Sequence, residues 1–273
     1  MSSVHILNGL TAPVDSKPQR NARNILILNL MPNRAVTEQQ FVQAFAATGI
    51  PVNLTFCLPA THHIRQHEAE LRAKYRSFDQ VRKQYFDALI VTGAPLDRVA
   101  FNTVDYWPEL QDILAWRHDH TRGSLFICWG AYAAGKIDGI FTGKQIDRKI
   151  TGVFTTDGYT MPQSRYFIIP QESVKRGSVI AGNSELGATI VTEPISHSTY
   201  VAGHFEYLTG TLADEYNRDR HKNGAKAPRP VNYFAADLRP RNSWQADAKR
   251  FYTEWLNAIP KQTRTNKEET INV

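Results

Sequence analysis

The stretch "SLFICWGAYAAGKIDG", Ser124 to Gly139, decides how the fold is read. An apolar run of strand character passes directly into a small-residue segment of helical character. Cys128 stands at the junction. In open α/β sheets, ligands collect beyond the carboxyl ends of the strands. A tight strand-to-helix turn at such an end needs small neighbours, and Gly130, Ala131, Ala133, Ala134 and Gly135 supply them. The turn would expose a nucleophile and aim the following backbone N–H groups at it, and a helix N-terminus favours a thiolate. Free cysteine is also among the most buried residue types, so this stretch alone leaves the catalytic and core readings of Cys128 even.

Around it, "NILILNL" (24–30), "VNLTFCL" (52–58), "DALIVTG" (87–93) and "SLFICW" (124–129) read as buried strands. They lack polar alternation, as parallel strands covered on both faces do. Helical patterns lie between them, at 37–47, where Thr37 and Gln40 fit a capping box, and at 107–120. The rhythm predicts a doubly wound, mostly parallel α/β sheet with helices on both faces, flavodoxin-like in organisation. Further strands are expected at "ATIVTEP" and "STYVAGHFEY", with helices near "GTLADEYNRDRHKNG" and at "SWQADAKRFYTEWLNAI". One domain over 24–259 is the simplest account, with an N-terminal extension (1–23) and a polar C-terminal tail (260–273).

Composition narrows the function. The 273 residues hold 32 Lys and Arg against 26 acidic residues, a net charge of +6 that suits an anionic ligand without identifying one. Two cysteines exclude a disulfide framework and fit a reducing cytoplasm. Cys57, inside an apolar run, reads as core. No apolar run reaches the length of a membrane span. The basic segment "RQHEAELRAKYRSFDQVRKQ" is interleaved with acids like the wet face of helices, so nucleic acid is not an expected partner. Neither "HH" (62–63) nor "DRH" (219–221) has metal-site spacing, and no metal is expected.

A nucleophilic cysteine needs a base, and "VAGHFEY" (201–207) offers one. If it begins as a strand, His204 and Glu206 project to one side, where Glu206 would orient the imidazole and His204 would take the thiol proton. The spacing is not specific, because a lone histidine near a glutamate is more often structural.

"NILILNLMPNR", "LIVTGAP" with "VDYWPEL", "LFICWGA", "KITGVF", "SRY", "VAGHFEY", "NYF" and "SWQADAKRFYTEWLN" occur in an order that closely resembles the homoserine O-succinyltransferase and O-acetyltransferase family. The resemblance runs from Asn24 to Asn257 and implies the class I glutamine-amidotransferase-like fold. It also implies a ping-pong reaction in which Cys128 takes an acyl group from acyl-CoA and passes it to the hydroxyl of a small amino acid. His204 would be the base and Glu206 its partner. The oxyanion would meet the N–H of Trp129 and one from the loop at Leu30 and Met31. Lys149 matches a ligand-binding lysine and Ser164 a substrate-site serine, with Arg165 beside it. No cofactor is bound; acetyl-CoA is a co-substrate, and a homodimer is common in the fold.

The chain departs from the family at several positions. After "TGAP", glycine accompanies succinyl transfer and glutamate acetyl transfer; here Asp97 stands at that point. A carboxylate in the acyl pocket would repel the free carboxylate of succinyl, so acetyl-CoA is the expected donor and succinyl-CoA the alternative. Where Trp-Arg-Ser-His usually opens the last helix, "WQAD" puts Gln245 in place of an arginine expected to clamp the acceptor carboxylate, and Asp247 in place of histidine. Gln163 replaces a histidine, and Asn33-Arg34 a lysine pair. L-serine therefore stands beside L-homoserine as acceptor, a difference of one methylene worth about 1–3 kcal/mol. A glutamine amidase and a non-catalytic binding protein are the rival classes.

Overall fold

The computed structural model describes residues 3–64 and 67–260. A single sheet is built on β1 (Val4–Ile6), β2 (Arg23–Leu28), β3 (Val52–Leu58), β4 (Arg76–Ser77), β5 (Ala88–Val91) and β6 (Ser124–Ile127). After the long hairpin of β7 (Lys144–Thr156) and β8 (Tyr159–Ile168), the chain returns to it with β9 (Ser178–Asn183), β10 (Gly187–Glu193) and β11 (Ser198–Val201). The order is β1-β3-β2-β5-β6-β11-β10-β9, with β4 paired to β3. Pairing is parallel from β1 to β11, and antiparallel for β10 with its two neighbours.

The central strands are the apolar runs of the sequence. Ile25 to Leu28, Ala88 to Val91 and Leu125 to Ile127 are buried, because helices cover both faces of the sheet. The helices are α1 (Arg34–Thr48), α2 (Glu68–Lys74), α3 (Phe78–Val81), α4 (Trp107–His120), α5 (Trp129–Ile137), α6 (Thr211–Asn223) and α7 (Gln245–Ala258). α7 packs on α1 through Phe45, whose ring meets Tyr252 edge-on at 5.2 Å and Trp255 at 6.4 Å. Aromatic pairs of this kind add about 0.5–1.5 kcal/mol beyond the area they bury.

Three expectations are corrected. Val4–Ile6, placed outside the domain by the sequence reading, is an edge strand in register with Val52–Leu54. The capping box at Thr37 and Gln40 does not form. The helix starts one turn earlier on Asn33, whose side chain accepts from Val36 N; Thr37 bonds back to the Asn33 carbonyl and Gln40 reaches Thr211. The strand expected through "STYVAGHFEY" stops at Val201, so His204 and Glu206 lie in the bend beyond it. The expected tail lies outside the described residues from 261 onward.

Candidate active site

Three strand ends make the site. β6 lies between β5 and β11, with Phe126 opposite Val91 and Ile127 opposite Val201. The segments that leave these strands, at Gly93, Cys128 and Ala202, therefore emerge side by side at the carboxyl edge of the sheet, where ligands of such folds bind.

Cys128 turns β6 into α5 with φ 51° and ψ −117°, a conformation unusual for a residue with a side chain. Its N–H is held by the Val201 carbonyl at 2.7 Å, so the neighbouring strand enforces the turn. α5 enters so close to β5 that a Cβ at Gly130 would lie 2.6 Å from the Thr92 carbonyl oxygen and 2.7 Å from that of Val91. Only glycine fits there. Strain held by surrounding structure is a property of nucleophile elbows. The N–H groups of Trp129, Gly93 and Ala94 have no acceptor among the described residues. A Cβ at Gly93 would sit 3.3 Å from Cys128 Cβ and 3.4 Å from His204 Cε1, which puts its backbone against both side chains.

His204 is fixed from three sides. Its N–H donates to the Pro162 carbonyl at 2.9 Å, its Nδ1 meets Glu206 Oε1 at 2.6 Å, and its ring stacks on Tyr207 with centroids 4.0 Å apart. With Nδ1 committed to Glu206, Nε2 is the nitrogen left for the Cys128 thiol, with which the imidazole interacts directly. Burial disfavours a charged imidazole, yet the Glu206 carboxylate and the sulfur together raise its pKa well above the ordinary value. Burial pushes the Cys128 thiol up, and the His204 side chain opposes that shift. The His204 side chain thus favours the ionised thiol against the burial that disfavours it.

A cavity of about 220 Å³ opens over Cys128 and His204. β7 and β8 carry Lys149 and Ser164 to its wall, and Ser164 contributes the backbone carbonyl 3.9 Å from Cys128 Sγ. α6 supplies Glu215, Arg218 and Asp219, spaced i, i+3 and i+4 on one helix face. Lys149 Nζ bonds Asp219 Oδ2 at 2.7 Å and lies 3.9 Å from Glu215, and Arg218 holds Asp219 Oδ1 at 3.0 Å. Burial opposes ionisation of Asp219, but Lys149 and Arg218 outweigh it and keep its pKa below the usual carboxylate range. Glu215 takes bonds from Ser164 Oγ and, at 2.8 Å, from the Tyr207 hydroxyl. Asp97 closes the opposite side: Oδ2 accepts from Tyr166 N at 3.0 Å, while Oδ1 is buried without a partner among the described residues. Burial pushes its carboxyl up to about 6. Arg98 does not neutralise it, because that guanidinium lies over the Tyr166 ring.

The structure thus brings together Cys128, His204, Glu206, Trp129, Asp97, Lys149 and Ser164 from distant parts of the sequence. Other expectations are corrected. The Leu30 N–H donates to Thr92 Oγ1 at 2.9 Å and the Met31 N–H to Asn29 Oδ1 at 3.2 Å, so neither is free to hold an oxyanion; Met31 lines the cavity only with its side chain. Arg165 faces away, because side chains alternate along a strand and Ser164 and Tyr166 take the cavity side. Its guanidinium is fully buried and bonds Gln163 Oε1, the Phe167 carbonyl and the Leu186 carbonyl. Gln163 is buried beneath the bend before His204. Gln245 is exposed at the start of α7, and Asp247 caps Thr160 N, both outside the cavity. The sequence reading missed Tyr207, Glu215 and Arg218. The signal was the charged "EYNRD" face of a helix that begins just after His204 and Glu206.

Among the described residues, no three His, Cys, Asp or Glu side chains gather as a metal would need, and no helix is long and apolar enough to cross a membrane. Among solved structures, the chain resembles glutamine amidotransferases from Methylobacillus flagellatus (TM-score 0.55, 13% identity, 88% of this chain and 96% of that one) and Thermotoga maritima (0.51, 9%, 88% and 97%). At such identities the likeness shows the fold alone, that of the class I glutamine amidotransferases. The chain is 40% identical over 245 residues to the homoserine O-acetyltransferase of Leuconostoc mesenteroides, covering 85% of this chain and 80% of the relative. It is 37% identical over 257 residues to that of Synechococcus elongatus, covering 86% of each. Residues 11–265 match the family described as homoserine O-succinyltransferase. With that match spanning nearly the whole chain, the protein belongs to the homoserine O-succinyltransferase family.

Proposed function

We propose that this chain is an acyl-CoA-dependent O-acyltransferase that moves an acetyl group from acetyl-CoA, through a thioester on Cys128, to the side-chain hydroxyl of L-homoserine. The observation that carries this reading is the strained elbow at Cys128, paired with His204–Glu206 and opening onto a cavity whose wall holds the cations Lys149 and Arg218 beside the carboxylates of Glu215 and Asp219. A small zwitterion needs such a wall, with a guanidinium for its carboxylate and a carboxylate for its ammonium.

In the first half-reaction, His204 Nε2 takes the Sγ proton as the sulfur attacks the thioester carbonyl. The Trp129 N–H and the free N–H groups of the turn at Gly93 hold the oxyanion. Collapse breaks the C–S bond to coenzyme A, whose sulfur leaves with the proton from His204. In the second, His204 takes the acceptor hydroxyl proton, the oxygen attacks the acyl-enzyme, and the Cys128 sulfur departs and is reprotonated. Glu206 holds Nδ1 throughout and stabilises the imidazolium. A wider cleft of about 990 Å³, sharing Pro32, Ala94, Pro95 and Val99 with the cavity, has room for the body of coenzyme A.

Asp97 supports acetyl over succinyl, since its unpartnered oxygen would face the distal carboxylate of a succinyl group. L-homoserine gains over L-serine because Gln163, Gln245 and Asp247 lie outside the cavity, while Arg218 supplies the guanidinium that Gln245 lacks. In this reading the product feeds methionine biosynthesis in the cytoplasm.

The test is to incubate the purified protein with acetyl-CoA or succinyl-CoA and each amino acid, following released thiol and identifying products by mass spectrometry. O-acetylhomoserine is the expected product, with one acetyl group on Cys128 when the acceptor is withheld. Arg218→Ala is expected to raise the KM for L-homoserine about 10- to 100-fold while leaving acetylation of Cys128 intact. Ammonia released from glutamine with no thiol from acetyl-CoA would overturn the proposal.

A further inference from the structure

Tyr207 is buried and lies nearly parallel to the His204 ring, with centroids 4.0 Å apart and planes 19° apart. Its backbone carbonyl is pinned by Trp244 Nε1 at 3.1 Å, and its hydroxyl donates to Glu215 Oε1 at 2.8 Å. Glu215 also takes the Ser164 hydroxyl, so the phenol is held from the cavity wall rather than from the elbow. Glu206 holds one edge of the imidazole and the Cys128 thiol meets the other, while Tyr207 packs on its face.

We propose that Tyr207 is a positioning residue for the base. Its ring holds the imidazole plane so that Nε2 stays aimed at Cys128 Sγ, and its electron-rich face favours the imidazolium that forms when the thiol gives up its proton. Glu215 accepts from the phenol hydroxyl, while burial and the stack hold the ring itself. The other groups acting on this pair are Glu206 on the same bend, Cys128 on the elbow, Asp97 after β5, Arg165 on β8, and Glu215 and Arg218 on α6; the Tyr252 phenol of α7 faces Glu206. Of these, Tyr207 alone has its ring against the imidazole among the described residues. This inference rests on His204 acting as the base for Cys128, and not on the identity of donor or acceptor.

The experiment follows alkylation of Cys128 by iodoacetamide against pH in the native protein, Tyr207→Phe and Tyr207→Leu, alongside acetyl transfer. Tyr207→Phe keeps the ring and should keep the wild-type midpoint. Tyr207→Leu should move the midpoint up by roughly half a pH unit, because the imidazolium partner is less favoured, and lower kcat with KM for acetyl-CoA little changed. A wild-type midpoint in Tyr207→Leu, or an equal shift in Tyr207→Phe, overturns the proposal. If Tyr207→Leu does not fold, the native protein decides. With histidine labelled for NMR and His204→Gln as the assignment control, the His204 Cε1 proton should lie upfield, shielded by the phenol, and an ordinary position rejects the stack. A wild-type protein that alkylates as expected but transfers no acyl group would instead count against the proposed function and leave Tyr207 standing.

Discussion

The two cysteines lie near the carboxyl ends of two strands of one sheet, and both are almost completely buried. Cys57 continues the regular backbone of β3, and burial together with the Glu109 charge pushes its thiol far above the ordinary range with no cation to oppose them. Cys128 stands one residue past its strand, in a backbone conformation that turns the side chain out of the sheet, with His204 against it. Burial is therefore not what distinguishes the two thiols. The difference comes from a turn that a neighbouring strand enforces and from an imidazole that a third strand end delivers.

The largest effect that would break this contrast belongs to Cys128. Cys128→Ala should reduce acyl transfer roughly 10⁴-fold or more and leave no acylated protein by mass spectrometry; a variant with near-native turnover would make the two cysteines equivalents after all. Removing only the carboxylate behind the base sharpens the contrast. Glu206→Gln should lower kcat on the order of 10³-fold with the fold unchanged by circular dichroism, and an unimpaired variant would show that His204 needs no partner.

A smaller effect concerns which acyl donor is used. Asp97→Gly should raise succinyl relative to acetyl transfer about tenfold or more. The sign of the pH dependence follows from the raised carboxyl, near 6: above that pH it is charged and repels succinyl, and below it the neutral acid does not. The succinyl-to-acetyl ratio should therefore climb as pH falls through about 6 in the native protein and stay flat in Asp97→Asn. A native ratio that does not move would remove charge as the basis of donor choice. The smallest effect is at the silent cysteine: Cys57→Ala should keep turnover within about twofold and cost about 1 kcal/mol of stability in urea unfolding.

Much of the frame was legible because it is local. The runs at 52–58 and 107–120 became β3 and α4 with those bounds, since an uninterrupted apolar strand and a helix with proline in its first turn carry their signal in adjacent residues. The hairpin of β7 and β8 was read only as motifs, although its turn was written in "TTDGYT": Asp157 and Gly158 both take positive φ, as a two-residue hairpin turn requires. Arg165 was misassigned because a motif names neighbours without saying which face each takes, and the strand's alternation sends Ser164 and Arg165 in opposite directions. Gln245 drew attention for an arginine it lacks, while a guanidinium of the cavity wall, Arg218, arrives on α6.

What the sequence determined by itself was the chemistry available. A cysteine at a strand-to-helix turn lined with small residues, and a His-x-Glu further along the chain, made Cys128 and His204 the candidate nucleophile and base through residue type over a few positions. Only the tertiary structure decided which groups meet. β11 pairs beside β6 although the long β7–β8 hairpin and the antiparallel strands intervene, so the bend at His204 lands on the elbow. The same arrangement sets α6 against the hairpin, giving Lys149, Asp219, Glu215 and Tyr207 their partners. Those contacts depend on strand order and side-chain facing, properties of the packed sheet that no short window of residues contains.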